Sequence, residues 1–309
     1  MLAALCGGVG AARMLAGMCA VVAPEDLVGI VNTGDDCELH GLTICPDLDT
    51  VTYTLAGRNN TELGWGLAGE SWRTMDRLAE LGGPTWFRLG DLDLATHLYR
   101  TGRLRAGASL DQVVTELARA NGVAVQLLPV TNDPLRTRVT IADSGEEIDF
   151  QEYFVARRHG VAISAVRFVG AEQAQPAPGV LDALGRAEQI VVCPSNPIVS
   201  LGPLLAVPGI RAAVEARRAN AVAVSPIVAG AALKGPADRM LAELGHEASV
   251  VGVARLLAPL VATLVIDEAD RDAAPAVEAL GLRCVVTDTI MATPERAAAL
   301  AEVVLGAGR

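Results

Sequence analysis

The stretch LAALCGGVGAARMLAGMCAVVAPEDLVGIVNT, residues 2–33, decides the fold. Five apolar residues lead into a glycine turn (GGVG), a helix-forming segment follows (AARMLAGMCAVV), and a second apolar run (DLVGIVNT) closes the unit. Strand, turn, helix, strand is a β-α-β opening. The C-terminal half continues the alternation, with helix VLDALGRAE, strand QIVVC, loop PSNPIVSLGP, helix IRAAVEARRA, strand AVAVSPIV, then strands TLVIDEAD and CVVTD, each followed by a helix. Such alternation demands a parallel sheet with right-handed crossovers, so the expected class is α/β, with helices on both faces.

Composition agrees with a sheet buried on both sides. Hydrophobic residues make up 51% of the 309, yet only 3% are aromatic. The interior must therefore be built from Val, Leu, Ile and Ala, and continuous runs such as QIVVC are what a covered parallel strand needs. The length allows one large α/β unit with an appended lobe. A net charge of -11 argues against a nucleic-acid surface, because phosphate-backbone binding needs clustered Lys and Arg. A small anionic ligand is still compatible, since a few local donors bind one in spite of a negative overall field. No span reaches ~18 uninterrupted apolar residues and no basic region precedes the N-terminal apolar run, so neither export nor membrane insertion is expected, and a cytoplasmic protein is. The six cysteines form no CxxC pair, which leaves neither a zinc knuckle nor a dithiol motif; they read as small buried residues of a reduced compartment.

Between about residues 65 and 170 the pattern changes. Charged helical windows (GESWRTMDRLAEL, SLDQVVTELARANG) and two polar alternating strands (RVTIADSG, EIDFQEYFVA) suggest an inserted, more exposed lobe. The expected division is a core of 1–64 and 171–309, with 65–170 as the lobe.

In doubly wound sheets, ligands bind beyond the carboxyl ends of the strands, so the loops after each strand are where chemistry is sought. CGGVGAAR (6–13) lets backbone N–H groups approach a phosphate at a helix N-terminus, or is simply a tight turn that needs small residues. It is no dinucleotide fingerprint, because GxGxxG fails at Arg13, and it lacks a Walker lysine. NTGDDCELHG (32–41) carries Asp35 and Asp36, of which one is expected to face the site; His40 reads as a structural turn residue. In ICPDLDTVTY (44–53), Asp47 and Asp49 share a side if the chain is extended and diverge if it is helical; Asp49 or Thr50 is also a natural cap for a helix TVTYTLAG. Capping explains one acid and not both, whereas two carboxylates beside a phosphate loop call for a compensating cation of the magnesium type. PSNPIVSLGP (194–203) pre-places Ser195 and Asn196 between two prolines, and Lys234 follows in a similar loop. In the lobe, Arg88, Asp91, Asp93 and His97 fall within ten positions near Trp65, Trp72, Trp86 and Phe87, a wall that suits a flat ring or a local core.

Taken together, GGVGAAR, VNTGDD with HGLTICPDLDTV, GWG, WFRLGD with DLATH, FQEYFV, PSNP with SLGP, VPGIR, and SPI with KGPAD resemble the 2-phospho-L-lactate transferase family, in the same order from residue 3 to about 300. The resemblance implies a Rossmann-like three-layer sandwich with a smaller inserted lobe, usually a homodimer. It implies transfer of a phospholactyl or phosphoenolpyruvyl group from a guanosine-diphosphate-linked donor to the deazaflavin Fo, with release of GMP and help from Mg2+, in coenzyme F-420 biosynthesis. By position it assigns Asp49 as the catalytic residue, orienting or deprotonating the attacking hydroxyl or holding the metal beside it, and Asp49 with Arg88 as the Fo contacts. Gly7, Gly8, Gly10, Ser195 and Asn196 fall to the donor side, and Asp36, Asp47 and Asp49 to the metal. The family commonly has arginine where this chain has Leu92. The competing reading is a nucleotide-binding regulator of the same fold without turnover, which does not need paired acids beside the phosphates. An NAD-dependent oxidoreductase is disfavoured because the second strand ends in Asn32 and not in an acid.

Overall fold

The computed structural model describes residues 1–308. Its strands are β1 (Leu2–Cys6), β2 (Leu27–Val31), β3 (Cys37–Leu39), β4 (Leu42–Ile44), β5 (Gln126–Pro129), β6 (Arg136–Ile141), β7 (Glu147–Asp149), β8 (Ile163–Val169), β9 (Gln189–Val192), β10 (Ala221–Val224), β11 (Ile227–Val228), β12 (Ala231–Ala232), β13 (Thr263–Asp267) and β14 (Arg283–Thr287). Helices α1 (Gly8–Val21), α2 (Pro46–Leu55), α3 (Arg73–Glu80), α4 (Asp91–Arg105) and α5 (Leu110–Ala120) lie in the first half. The second half adds α6 (Val180–Arg186), α7 (Leu201–Ala206), α8 (Ile210–Ala216), α9 (Ala237–Glu243), α10 (Val250–Leu257), α11 (Ala274–Glu278) and α12 (Pro294–Ala307).

Seven strands form one sheet in the order β14-β13-β10-β9-β1-β2-β5, and its pairings are all parallel. Alternate residues of each strand feed the two faces, as the pleat requires. Ala3, Leu5, Ile190 and Val192 pack with Val180, Leu184, Ile210 and Val253 on one side. Ala4, Cys6, Val191 and Val224 pack with Met14, Leu15, Leu300 and Val304 on the other. The result is the expected three-layer α/β sandwich. On the second face α1 rides so close to α12 that a Cβ at Gly17 would overlap the Ala297 carbonyl oxygen. Among the described residues, no helix is long and apolar enough to cross a membrane.

The strand order positions the site. From β1 the chain builds outward through β2 and β5, then returns to the other side of β1 with β9 and builds the opposite way. The loops after β1 and β9 therefore part company at a switch point, the crevice where such sheets take ligands. Those two loops are the glycine turn and PSNPIVSLGP.

Three expectations are corrected. The range 65–170 is not a continuous lobe: β5 pairs with β2 at the edge of the main sheet, and Val114 and Ala118 of α5 join the core on its second face. The strand QLLP is short, but its Leu127, Leu128 and Pro129 are buried, enough to complete a parallel sheet. What stands outside is α3, α4 and the antiparallel sheet β7-β6-β8. Second, EIDFQEYFVA is a strand only over Glu147–Asp149; Glu152–Ala156 forms a π-helical turn. Phe150 and Phe154 stack with centroids 5.5 Å apart, a four-residue spacing that a strand does not bring together. Third, the helix expected from Thr50 begins at Pro46, with proline in the first turn where its missing N–H is harmless.

Candidate functional site

Gly7 caps α1 in extended conformation and Gly8 adopts φ 73°, so the turn folds the backbone back onto the loop after β9. A Cβ at Gly7 would lie 2.6 Å from the Ser200 Cβ, and one at Gly10 would overlap the Pro194 carbonyl oxygen. The glycine turn is thus brought against Pro194, Ser195 and Ser200, while Asn196 lies in the same loop with its side chain on Ile198 and Met240. The Ser195 and Asn196 side chains are engaged in holding this shape. Ser195 Oγ donates to the Gly7 carbonyl at 2.8 Å, and Asn196 Oδ1 accepts from the Ile198 N–H at 2.9 Å. The turn sits at the positive end of the 14-residue α1, whose first turn carries no acid of its own, and the Asp47 carboxylate of α2 lies against it and accepts from the Gly8 N–H.

Asp47 and Asp49 stand in the first turn of α2, two residues and roughly 200° apart around the helix, so they do not share a side. Asp47 faces the glycine turn: its Oδ2 accepts from Asn32 Nδ2 at 2.9 Å. Asp49 faces α4, where Arg100 Nη2 donates to its Oδ1 and His97 Nδ1 lies 3.7 Å from its Oδ2. Asp35 and Asp36, in the loop after β2, are as buried as Asp47 and Asp49. Three carboxylate oxygens in this group are buried with no hydrogen-bond partner: Asp35 Oδ1, Asp36 Oδ1 and Asp49 Oδ2. Asp35 and Asp36 also line a cavity of ≈ 10 Å³ with Arg136 and Thr137, about the size of one water.

Burial dominates the protonation of these acids. It pushes Asp36 up to about 7, with the Asp49 charge adding to the rise and Cys45, Arg136 and Arg100 opposing it. It pushes Asp47 up to about 6 against hydrogen bonds from Asn32 and the Gly8 N–H. Asp35 is raised well above the ordinary carboxylate range by burial and by Asp47 and Asp36. Asp49 is raised by burial, with Arg100 and His97 pulling it back. Uncommitted carboxylate oxygens suit a hard divalent cation, which takes oxygen ligands, but among the described residues no three of Asp35, Asp36, Asp47 and Asp49 bring theirs within 4.8 Å of one another, as Asp49, Asp93 and His97 do. Of the expected metal set, Asp36 and Asp49 keep an oxygen with no hydrogen bond, Asp47 has one oxygen on Asn32 as Asp49 has one on Arg100, and Asp35 is a further acid with a free oxygen.

Helix α4 supplies residues that the sequence reading did not assign. Asp93, His97 and Arg100 lie on one face, spaced four and three. Tyr53 OH of α2 donates to Asp93 Oδ1 at 2.7 Å, and His97 Nε2 lies 3.2 Å from Asp93 Oδ2. Burial pushes Asp93 up, yet His97 and Tyr53 hold it below the ordinary carboxylate value. Ligand atoms of Asp49, Asp93 and His97 lie within 4.8 Å of one another, but the buried Arg100 guanidinium already supplies positive charge there. The signal was the spacing of 93, 97 and 100; the partner, Asp49, is remote in sequence.

Arg88 engages Asp76 (3.0 Å) and covers the Trp72 ring at 5.0 Å, rather than meeting Asp49. It sits among Trp65, Trp72, Trp86 and Phe87, of which Trp65 and Trp86 are exposed. Asp91 accepts from the Ser71 N–H and hydroxyl at the start of α4. Leu92 is exposed on the first turn of that helix. Lys234 lies beside Gly64, where burial and the Arg13 charge lower its ammonium. His40, at φ 54°, makes the β3–β4 turn.

A parallel sheet with a glycine turn at its switch point and a rim of buried acids defines a doubly wound α/β protein with its candidate site at the carboxyl edge. The chain belongs to the family of 2-phospho-L-lactate transferase CofD, whose model matches residues 2–301. It is 46% identical to a phosphoenolpyruvate transferase of Kitasatospora aureofaciens, over 98% of this chain and 96% of that one. It is 45% identical to a protein of the same name from Streptomyces griseus, over 97% and 96%. Among solved structures, a protein member of the UPF0052 family from Bacillus halodurans superposes with a TM-score of 0.63 over 98% of both chains, at 17% identity, which speaks to the fold.

Proposed function

We propose that this protein transfers a phosphoenolpyruvyl or phospholactyl group from a guanosine-diphosphate-linked donor to the terminal ribityl hydroxyl of the deazaflavin Fo, releasing GMP, in coenzyme F-420 biosynthesis. The relatives named phosphoenolpyruvate transferase favour the enolpyruvyl donor. The observation that carries the reading is a group of buried acids with unpartnered oxygens on Asp35, Asp36 and Asp49, linked to the glycine turn by Asp47, which lies against Gly7 and accepts from the Gly8 N–H. That pairing of donors for an anion with acids for a cation is what phosphoryl transfer needs, and a protein that only bound nucleotide would not need the acids.

In this reading the turn at Gly7, Gly8 and Gly10 receives the donor diphosphate, with the N-terminus of α1 behind it. The loop of Ser195 and Asn196 holds the turn in shape. Asp36 and Asp49, together with Asp47 or Asp35, would hold Mg2+, which when bound would neutralise charge on the transferring group. Asp49 Oδ1 is committed to Arg100, so its Oδ2 is the one atom free, either to hold the cation or to orient the attacking hydroxyl of Fo. Arg88 and the tryptophans about it receive the flat deazaflavin. A homodimer and cytoplasmic residence belong to the same reading, and sedimentation and fractionation check them.

The test is direct: protein, MgCl2, Fo and the enolpyruvyl or lactyl donor are mixed, GMP is followed, and the product is weighed by mass spectrometry. Failure to release GMP from either donor in the presence of Fo ends the proposal.

A further inference from the structure

The largest side chain in the fully buried set is a charged one, Arg100, 1% exposed. A buried ion pair seldom stabilises a fold more than apolar packing of the same size, so its presence asks for another reason. Its contacts supply one. Nη2 meets Asp49 Oδ1 on α2, while Nη1 donates to the Thr43 carbonyl on β4 at 3.2 Å and lies 3.1 Å from His97 Nδ1 on its own helix. Next to it, Thr101 Oγ1 accepts from the Thr43 N–H at 2.8 Å, which fixes β4 against α4. Tyr53 and Asp93 tie α2 to α4 one turn away. The guanidinium is thus anchored by two elements and grips one oxygen of a carboxylate on a third. The other oxygen, Asp49 Oδ2, is left without a hydrogen bond.

We propose that Arg100 is a positioning residue, which holds Asp49 Oδ1 so that Oδ2 stays uncommitted and aligned for a cation. This rests on the functional reading above only in naming the cation's use. Lysine keeps the charge but not the planar fork, and it cannot hold Asp49 and Thr43 together. The variants are therefore Arg100→Lys, which tests orientation at constant charge, and Arg100→Met, which removes both.

Two readouts are taken on the full chain: Mn2+ binding by water-proton relaxation without substrates, and steady-state GMP release. Folded Arg100→Lys is expected to bind Mn2+ roughly fivefold or more weakly, and to lose roughly 100-fold in kcat with the donor KM within about twofold. Arg100→Met is expected to lose more in kcat. A side chain that only supported the fold would lower the melting temperature and leave the Mn2+ affinity and kcat of the folded molecules alone, and that result overturns the proposal. So does a wild-type protein that fails to bind Mn2+. Should neither variant fold, Thr101→Val loosens β4 against α4 and is expected to show the same signature at smaller amplitude; wild-type values there overturn the proposal too. If Mn2+ binding depends on Arg100 but the wild type releases no GMP, the functional reading falls and the positioning role stands.

Discussion

Two walls meet at the carboxyl edge of the sheet, and they differ in how complete they are. In the wall made by the glycine turn and the loop 194–203, the polar side chains have found partners: Ser195 bonds Gly7, Asn196 bonds Ile198, and Asp47 bonds Asn32. In the acid wall, Asp35, Asp36 and Asp49 each keep a buried oxygen with none. Buried polar atoms are normally paired, and the unpaired exceptions in a native protein call for an explanation. The first wall is shaped by its own contacts and offers backbone to a ligand. The second has Arg100 on Asp49 and the Arg136 charge acting on Asp36, yet keeps oxygens without a hydrogen bond, and its stability depends on what meets them.

The largest effect follows from removing charge on the acid side. Asp49→Asn keeps the size and a carbonyl oxygen for Arg100 but loses the carboxylate, and turnover is expected to fall roughly 100-fold or more at saturating substrates. Ser195→Ala, on the completed side, removes one neutral hydrogen bond worth about 1 kcal/mol and is expected to raise the donor KM severalfold with kcat little changed. Steady-state GMP release measures both. Equal losses in kcat from the two variants break the division between the walls.

On the completed side the vulnerable quantity is shape. Gly10 approaches the Pro194 backbone so closely that alanine must push the loop away, and backbone cannot swing aside as a long side chain does. Gly10→Ala is expected to destabilise the protein by about 1–3 kcal/mol, the usual range for an overpacked site. Urea unfolding at constant m-value reports it. A neutral outcome shows that the turn and the loop are less tightly joined than the packing indicates.

Protons and cations test the acid side without mutation. Asp36 moves from 3.8 to about 7 on folding, and Asp47 to about 6. Both folded values are raised, so the native state keeps protons that the unfolded chain has released, and stability is fullest below the ordinary carboxylate value. It is lost as pH rises through 6 and 7, where these groups must ionise while buried. A divalent cation offsets that loss. The rise in melting temperature on exchanging EDTA for MgCl2 is therefore expected to be larger at about pH 8 than at about pH 5.5. An equal or larger rise on the acid side removes the acids as the cation's ligands.

How much of this was legible varies with the distance over which the information is spread. The β1-α1-β2 unit could be read from residues 2–33, because strand, turn and helix signals are local. The meeting of Gly10 with Pro194 depends on β9 lying beside β1, a strand order no local pattern encodes. Pro46 suits both a loop and the first turn of a helix, so the sequence alone misplaces the start of α2, and with it the facing of Asp47 and Asp49. The face of Asp93, His97 and Arg100 was open to reading as spacing alone. Its meaning was not, because the carboxylate it serves is on another helix.

The smallest prediction returns to α4 and separates the helix from its charge cluster. Gly102 is exposed, has an ordinary helical backbone, and a Cβ there would meet nothing within 4 Å. Alanine at such a position is more favourable than glycine by about 0.5–1 kcal/mol, because the unfolded chain has less freedom to lose. Gly102→Ala is thus expected to raise stability by that amount while leaving GMP release and Mn2+ affinity at wild-type values. The result sharpens the contrast between the walls, because stiffening α4 two residues from Arg100 leaves the grip on Asp49 intact. A change in Mn2+ affinity with this variant means instead that the backbone of α4 is adjustable where the acid wall needs it rigid.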